Sequence, residues 1–194
     1  MRDPDPAKRR RREVSVCVAI GLCLVLAATA GCRGPVTIAK GKATLNLTSS
    51  SFQAGEIPKK FTCDDAETSP ALTWTTPPAG TQSLALIVVD RDAPFGSFVH
   101  WVLYDMPAGK RELAEGLPKL EQLPDGSRQG QNDFDKPGYG GPCPPGKSPH
   151  RYVFALYALD SRLNLPAGAT RREVEDAMRG HILAHGEMIV RYHH

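Results

Sequence analysis

The chain has 194 residues, of which 41% are apolar and 23% are charged, a composition typical of a globular protein. Its formal net charge of +3 arises within residues 1–31, which hold six basic and three acidic residues and leave 18 of each sign elsewhere. A neutral domain without a basic cluster offers no electrostatic surface for nucleic acid, and this composition excludes that class of partner.

Residues 1–31 have the layout of a secretory signal peptide. The basic run Arg9–Arg12 precedes an uncharged apolar stretch of 17 residues, 14–30. The stretch ends in Thr29-Ala30-Gly31-Cys32, which resembles a bacterial lipobox with Thr where Leu is usual. We therefore expect residues 1–31 to be a lipoprotein signal peptide. The protein would then be exported to the cell envelope or periplasm and anchored to the membrane through a lipid on Cys32. An uncleaved membrane anchor and a twin-arginine signal are the alternatives.

The remaining cysteines predict a disulfide. Cys17 and Cys23 would leave with the signal peptide and Cys32 would be acylated, so Cys63 and Cys143 form an even pair in an oxidising compartment. The alternative is two separate buried thiols.

The mature chain begins with an expected tether, residues 32–42, and continues as one domain, residues 43–194. Hydrophobic alternation and apolar runs predict strands near 45–48, 72–75, 83–89, 99–104 and 152–159. The run 83–89 is almost continuously apolar, which predicts a central strand buried on both faces. Residues 107–149 are rich in loops, and a loop region of that length is usually functional.

A helix is predicted near the C-terminus. Thr170 and Glu173 form a capping box, and Gly186 is the expected residue that ends the helix. Apolar residues at helical spacing support it: Val174, Ala177, Met178 and Ile182. Residues 187–192 would add a last strand, which completes a mostly-β domain with a C-terminal helix.

Polar side chains follow the ends of the predicted core strands, where they can meet at one rim of a sheet. They lie in the segments Asp90-Arg91-Asp92-Ala93-Pro94, His100-Trp101, Gly141-Pro142-Cys143-Pro144-Pro145 and His150-Arg151-Tyr152. The Gly/Pro segment is a stiff loop in which Gly141 lets a ligand approach the backbone and can donate its amide to an anion.

These segments resemble the signature of the phosphatidylethanolamine-binding protein (PEBP) family, in its bacterial YbhB/YbcL, or Raf-kinase-inhibitor-like, group. Cys63-Asp64-Asp65, Ser69-Pro70 and Trp74 extend the resemblance. It implies a large antiparallel sheet packed on a smaller one, with peripheral helices and a shallow anion pocket at one end.

The resemblance also implies which residues bind the ligand. They are Asp90, His100, Gly141, His150 and Tyr152, with Asp92 and Pro142 in the loops that support them. Arg91 departs from the family pattern, which has Pro at this position. We predict no cofactor, no resident metal and no catalytic residue.

A carboxylate beside an anion should repel it. We therefore hypothesise that Asp90 keeps a neighbouring imidazole protonated, His100 or His150, so that the imidazolium faces the ligand. Binding of phosphate or a phosphomonoester would then weaken as the pH rises.

Several functions are consistent with this sequence. The leading prediction is a non-enzymatic binding protein for a small anion or a phosphorylated or phospholipid head group. The alternatives are an interaction protein that inhibits a kinase or another enzyme through its pocket rim, and an Asp/His-dependent hydrolase. A metal site is a weaker alternative, either at Asp90, Asp92, His100 and His150 or at the pair His181 and His185.

Overall fold

Two β-sheets are the main secondary structure of the part of the chain that the structure describes. The structure is a computed structural model, and it describes residues 43–52 and 54–194. The predicted signal peptide, the predicted tether and Cys32 lie outside these residues.

The strands vary widely in length. They are β1 (Ala43–Thr44), β2 (Leu47–Thr48), β3 (Leu72–Trp74), β4 (Ser83–Asp90), β5 (Phe98–Pro107), β6 (Glu112–Leu113), β7 (Arg128–Gln131), β8 (His150–Leu159), β9 (Gly168–Thr170) and β10 (Ile182–Tyr192). The helical elements of the described residues are α1 (Arg171–Met178) and a 3₁₀ turn (Lys59–Phe61). No helix in these parts of the chain is long and apolar enough to cross a membrane.

The large sheet has seven strands in the order β1-β10-β8-β4-β5-β7-β9, and the small sheet has the order β2-β3-β6. The inner strands of the large sheet pair antiparallel, whereas the outer pairs β1–β10 and β7–β9 are parallel. The predicted mostly-β fold, with a large sheet on a smaller one, is confirmed. The parallel pairing of both edge strands is a feature that the sequence pattern did not predict.

Two hydrophobic cores lie on opposite faces of the large sheet. The first joins the large sheet to the small one and includes Leu86, Phe154 and Trp74. The second lies on the other face and includes Ile87 together with Val174 and Met178 of α1. Every residue of β4 is buried, which confirms the prediction of a strand that is covered on both faces.

Helix α1 begins as predicted and ends earlier. Thr170 is the N-cap, and the capping box with Glu173 is present. The predicted helix end at Gly186 was wrong, because α1 stops at Met178 and Gly180 takes the positive φ of 83° that turns the chain. Gly186 instead lies within β10, where a Cβ would come 2.1 Å from the carbonyl oxygen of Leu45.

Candidate functional site

The predicted site residues continue two rows of core side chains to one end of the large sheet. Because side chains alternate along a strand, Asp90 shares a face with Val88, which belongs to the core between the sheets. On β8, His150 and Tyr152 share that face with Phe154. Asp90 and Tyr152 are paired across β4 and β8. The site is therefore the polar end of the core between the two sheets.

A β-bulge brings His100 to the same face. Val88 is paired with Trp101 and Val89 with Val99, which leaves His100 as the extra residue on β5. The His100 ring lies 5.2 Å from the ring of Tyr152, while Trp101 also packs in the core between the sheets. A bulge re-aims side chains in this way, so two successive residues serve the site and the core.

Both carboxylate oxygens of Asp90 accept hydrogen bonds from the protein. His150 Nδ1 lies 2.7 Å from Oδ2, and the Asp92 amide donates to Oδ1 at 2.8 Å. Asp90 and His150 are 4% and 7% exposed, respectively, so this hydrogen-bonded pair lies inside the protein. The negative charge of Asp90 is therefore compensated from within the site, which reduces its repulsion of an anion.

His100 is held in one tautomer by its backbone partner. Its Nδ1 lies 2.8 Å from the carbonyl oxygen of Gly140, which can only accept, so Nδ1 carries the hydrogen and Nε2 keeps its lone pair. Burial lowers the pKa of His100, and this effect outweighs the opposing influence of the Gly140 backbone and of Asp90. His100 is therefore neutral near pH 7. The hypothesis that Asp90 keeps a neighbouring imidazole protonated now concerns His150 alone.

The Tyr152 hydroxyl is a buried donor without an acceptor. It has no hydrogen-bond partner among the described residues, although the chain has brought it beside Asp90. Burial raises the pKa of Tyr152 far above its usual value, and the charge of Asp90 raises it further. The influence of Asp90 acts through proximity, because the two groups do not meet in hydrogen-bonding geometry. The phenol thus stays protonated and able to donate.

Asp90 and His100 line a pocket of about 330 Å³. No Lys or Arg of the described segments lines it. The other lining residues are mostly apolar: Ala93, Pro94, Phe95, Phe98, Phe134, Cys143 and Pro145. The aromatic walls were not predicted. The signal that could have revealed two of them is the isolated Phe in each of the polar turns 92–97 and 132–136.

The loop that carries Phe134 is held by the buried side chain of Asn132. Its Oδ1 accepts the amides of Phe134 and Lys136 at 3.0 and 3.2 Å, and its Nδ2 donates to the carbonyl of Gly138 at 2.9 Å. The Phe134 ring packs 4.8 Å from the ring of Phe98, and a Cβ on Gly140 would come within 2.5 Å of it. The pocket wall is therefore built by the loop's own hydrogen bonds.

Asp92 lies outside the pocket wall and ties the loop after β4 to β8. Its carboxylate accepts the backbone amide of Arg151 at 2.8 Å and two guanidinium N–H groups at 2.6 and 2.9 Å. The hydrogen bonds from Arg151 are the main cause that lowers the pKa of Asp92 to about 2.

Arg91, the departure from the family pattern, uses the amide that a proline would lack. This amide donates to the carbonyl of Arg151 at 3.0 Å. Its guanidinium lies 3.4 Å from Glu187 Oε1, and Arg91 does not line the pocket. The substitution therefore adds a hydrogen bond between the loop and β8.

Gly141 and Pro142 contact the segment at Cys63. A Cβ on Gly141 would come 2.9 Å from Thr62 Cα, and the Pro142 carbonyl accepts the Cys63 amide at 3.0 Å. Neither residue lines the pocket. Cys63 and Cys143 lie at disulfide distance as predicted, with an S–S separation of 2.07 Å, which attaches the pocket loop to this segment.

The predicted metal alternatives lack the required arrangement. His181 precedes β10 and lies 2.8 Å from Asp160 Oδ1, whereas His185 is within β10, so the two do not share a helix. Among the described residues, the cluster with three potential ligand groups is Cys63, Cys143 and His194, and it includes none of the pocket's Asp or His residues.

The lowered pKa of His100 predicts that the free energy of unfolding falls as the pH drops below about 6.5. In that range the unfolded chain binds a proton at His100 before the folded chain does. One such group contributes at most about 1.4 kcal/mol per pH unit. Urea unfolding between about pH 7.5 and pH 5 checks this, and His100→Gln should make the dependence shallower. His181→Ala, at an exposed histidine, is the control. An unchanged slope in His100→Gln would contradict the assignment.

The chain is similar in sequence to a known protein family and to several individual proteins. The sequence model of the family described as phosphatidylethanolamine-binding protein matches residues 48–193. A UPF0098 protein of Aquifex aeolicus is 49% identical over 155 residues, which cover 78% of this chain and 90% of the relative. Another of Methanothermobacter thermautotrophicus is 45% identical over 149 residues, covering 76% of this chain and 98% of that relative.

Two crystal structures are also similar. Escherichia coli YbcL, described as a member of the mammalian PEBP family, matches with a TM-score of 0.72 and 32% identity, covering 78% of this chain and 99% of that one. A putative PEBP homologue from Chlamydia trachomatis matches with a TM-score of 0.70 and 37% identity, covering 78% of this chain and 98% of that one.

Proposed function

Because the chain belongs to the phosphatidylethanolamine-binding protein family, we propose that it binds a small anion at Asp90 and His100 without catalysing a reaction. The anion would be phosphate or the phosphorylated head group of a phospholipid. The observation that carries the proposal is the buried Asp90–His150 pair beside the pocket, with Nδ1 to Oδ2 at 2.7 Å. A protonated His150 would make this pair neutral and so remove the repulsion between an anion and Asp90, which lines the pocket whereas His150 does not.

The groups around the Asp90–His150 pair favour a ligand with a single phosphoryl group. Neutral His100, which lines the pocket, can accept from a protonated phosphate oxygen through Nε2, whereas the buried Tyr152 hydroxyl does not line it. A pocket of about 330 Å³ is at the small end of ligand sites, and its aromatic walls suit an apolar group attached to the phosphate. The pocket would therefore favour phosphomonoesters with an apolar substituent over inorganic phosphate.

A binding role without catalysis is supported by the chemistry of the pocket wall. Cys143 is bonded to Cys63 and has no thiol to act as a nucleophile. Ser69 is buried, and its hydroxyl accepts the Leu117 amide at 2.8 Å. No hydroxyl or thiol nucleophile is among the described residues that line the pocket.

Titration calorimetry with inorganic phosphate and with phenyl phosphate tests the proposal. Affinity for both is expected to fall by about tenfold or more between about pH 5.5 and pH 8.5, because an imidazolium beside Asp90 offsets the charge of the carboxylate and a neutral imidazole does not. His150→Gln should bind weakly at every pH, and His181→Ala should behave as the parent. Constant affinity across this pH range would contradict the proposed anion site. Release of phosphate from phenyl phosphate that is abolished in His100→Ala would instead support the hydrolase.

A second candidate is an interaction protein that inhibits another enzyme through the pocket rim. The feature that favours it is Phe95, which is fully exposed at the pocket although it is apolar. Stoichiometric capture of an envelope protein that depends on Phe95 would support this function.

Export to the cell envelope, with a lipid on Cys32, remains part of the proposal. It is supported by the basic and apolar start of the sequence and by the Cys63–Cys143 pair, because disulfides persist in oxidising compartments. Mass spectrometry of the mature N-terminus would detect cleavage before Cys32 and its acylation.

A further inference from the structure

Three groups that commonly bind transition metals meet at the surface beside the pocket. The ligand atoms of Cys63, Cys143 and His194 all lie within 4.8 Å of one another. Cys63 is partly buried and the other two residues are exposed, so the cluster is open to solvent. In the present structure the two sulfurs are bonded to each other.

The imidazole of His194 is oriented by a carboxylate. Its Nδ1 lies 3.0 Å from Asp64 Oδ1, and the hydroxyl of Tyr192 donates to Asp64 Oδ2. With Nδ1–H donated to Asp64, Nε2 of a neutral His194 is free to bind a metal, which is the usual arrangement of a metal-binding histidine.

We propose that reduction of the Cys63–Cys143 disulfide converts this cluster into a Zn²⁺ site with Cys63, Cys143 and His194 as its ligands. Two thiolates and one imidazole are a recognised zinc ligand set, and the fourth tetrahedral position would be left to water. The softness of two thiolates favours Zn²⁺ over the hard cations Mg²⁺ and Ca²⁺. The site is separate from the proposed anion site and does not depend on it.

An external thiol supplies the electrons and protons for the reaction that forms the site. Two equivalents of a monothiol break the S–S bond and deliver two electrons and two protons, and they are themselves oxidised to a disulfide. Zn²⁺ then replaces the two thiol protons, which pass to solvent.

Contacts other than the disulfide keep the two cysteine segments together. The Cys63 amide donates to the Pro142 carbonyl at 3.0 Å, and the Tyr139 hydroxyl donates to the Phe61 carbonyl at 2.8 Å. The Cα atoms of the two cysteines are 5.4 Å apart. Tetrahedral zinc with Zn–S bonds of about 2.3 Å requires sulfurs about 3.8 Å apart. Rotation of the two side chains can provide that separation while the backbone contacts stay in place.

Zinc titration against a chromophoric chelator tests the proposal. Because the full chain has other cysteines, every protein carries Cys17→Ser, Cys23→Ser and Cys32→Ser. The chain reduced with excess monothiol and then freed of it is expected to bind one zinc ion, and the oxidised chain none. His194→Ala should weaken binding by about 100-fold, and Asp64→Ala by about tenfold, whereas the exposed His181→Ala should not.

Co²⁺ provides a second readout, because thiolate coordination gives charge-transfer absorption that the oxidised chain would lack. If reduction unfolds the chain, Zn²⁺ is expected to restore its circular dichroism, and failure to do so would overturn the proposal. The proposal is also overturned if the reduced chain binds no zinc, or binds it equally well after His194→Ala. Weak phosphate binding has no bearing on these outcomes, so the two sites can fail independently.

Discussion

Replacing Asp90 with alanine is expected to lower the free energy of unfolding by about 3 kcal/mol, because it leaves a buried imidazole and a buried amide without their acceptor. Asp90 is 4% exposed and accepts from His150 Nδ1 and from the Asp92 amide. Urea unfolding near pH 7 gives the loss directly. The same variant should lose phosphate binding, since nothing then orients His150.

Two further substitutions make the Asp90 result specific. Asp90→Asn preserves the side-chain volume and an acceptor for the Asp92 amide, so its loss of stability should be smaller than that of Asp90→Ala. Asp92→Ala removes a carboxylate only two residues away whose partner, Arg151, is half exposed, and exposed ion pairs contribute little. Equal losses in Asp90→Ala and Asp92→Ala would show that the buried pair does not carry the stability assigned to it.

Removal of the disulfide is expected to cost about 4 kcal/mol of unfolding free energy. Cys63 and Cys143 are separated by 80 positions in the sequence. A closed loop of that length loses about 4.5 kcal/mol of chain entropy in the unfolded state by the usual estimate, and native disulfides commonly contribute somewhat less. The measurement is denaturant unfolding of the double variant Cys63→Ser and Cys143→Ser against the oxidised parent, both with Cys17, Cys23 and Cys32 replaced by Ser.

The single variants provide the control for the disulfide. Because either substitution abolishes the bond, Cys63→Ser and Cys143→Ser should each lose about as much stability as the double variant. Zn²⁺ should not stabilise any of the three variants. A double variant within about 1 kcal/mol of the parent would mean that the contacts of Gly141 and Pro142 already hold the two segments together without the bond.

The family, the fold class and the main strands could be predicted because each rests on a local pattern. The uninterrupted apolar run of β4 and the capping box of Thr170 were confirmed. The end of α1 could not be located, because Ile182 continues the helical spacing of Val174 and Met178 and also begins the two-residue alternation of β10. Gly180, which ends the helix, lies between the two patterns.

The pocket was only partly predictable for a related reason. Asp90, His100, His150 and Tyr152 lie at strand ends, and strand pairing brings them together. The walls at Phe95 and Phe134 come from loops whose meeting depends on tertiary contacts, and no periodicity in the sequence encodes them. The bulge at His100 could not be predicted from the sequence either, because the extra residue is defined only by the pairing with the partner strand.

The two outermost strands of the large sheet, in the part of the chain that the structure describes, are its shortest-reaching edges toward other molecules. β1 has two residues and β9 has three, and both pair parallel to their neighbours. Among the described residues, each of these two strands by itself offers an intruding strand few backbone donors and acceptors, too few for a continuous ladder between molecules. Very short edge strands are one of the means by which β-rich proteins avoid pairing edge to edge with other molecules.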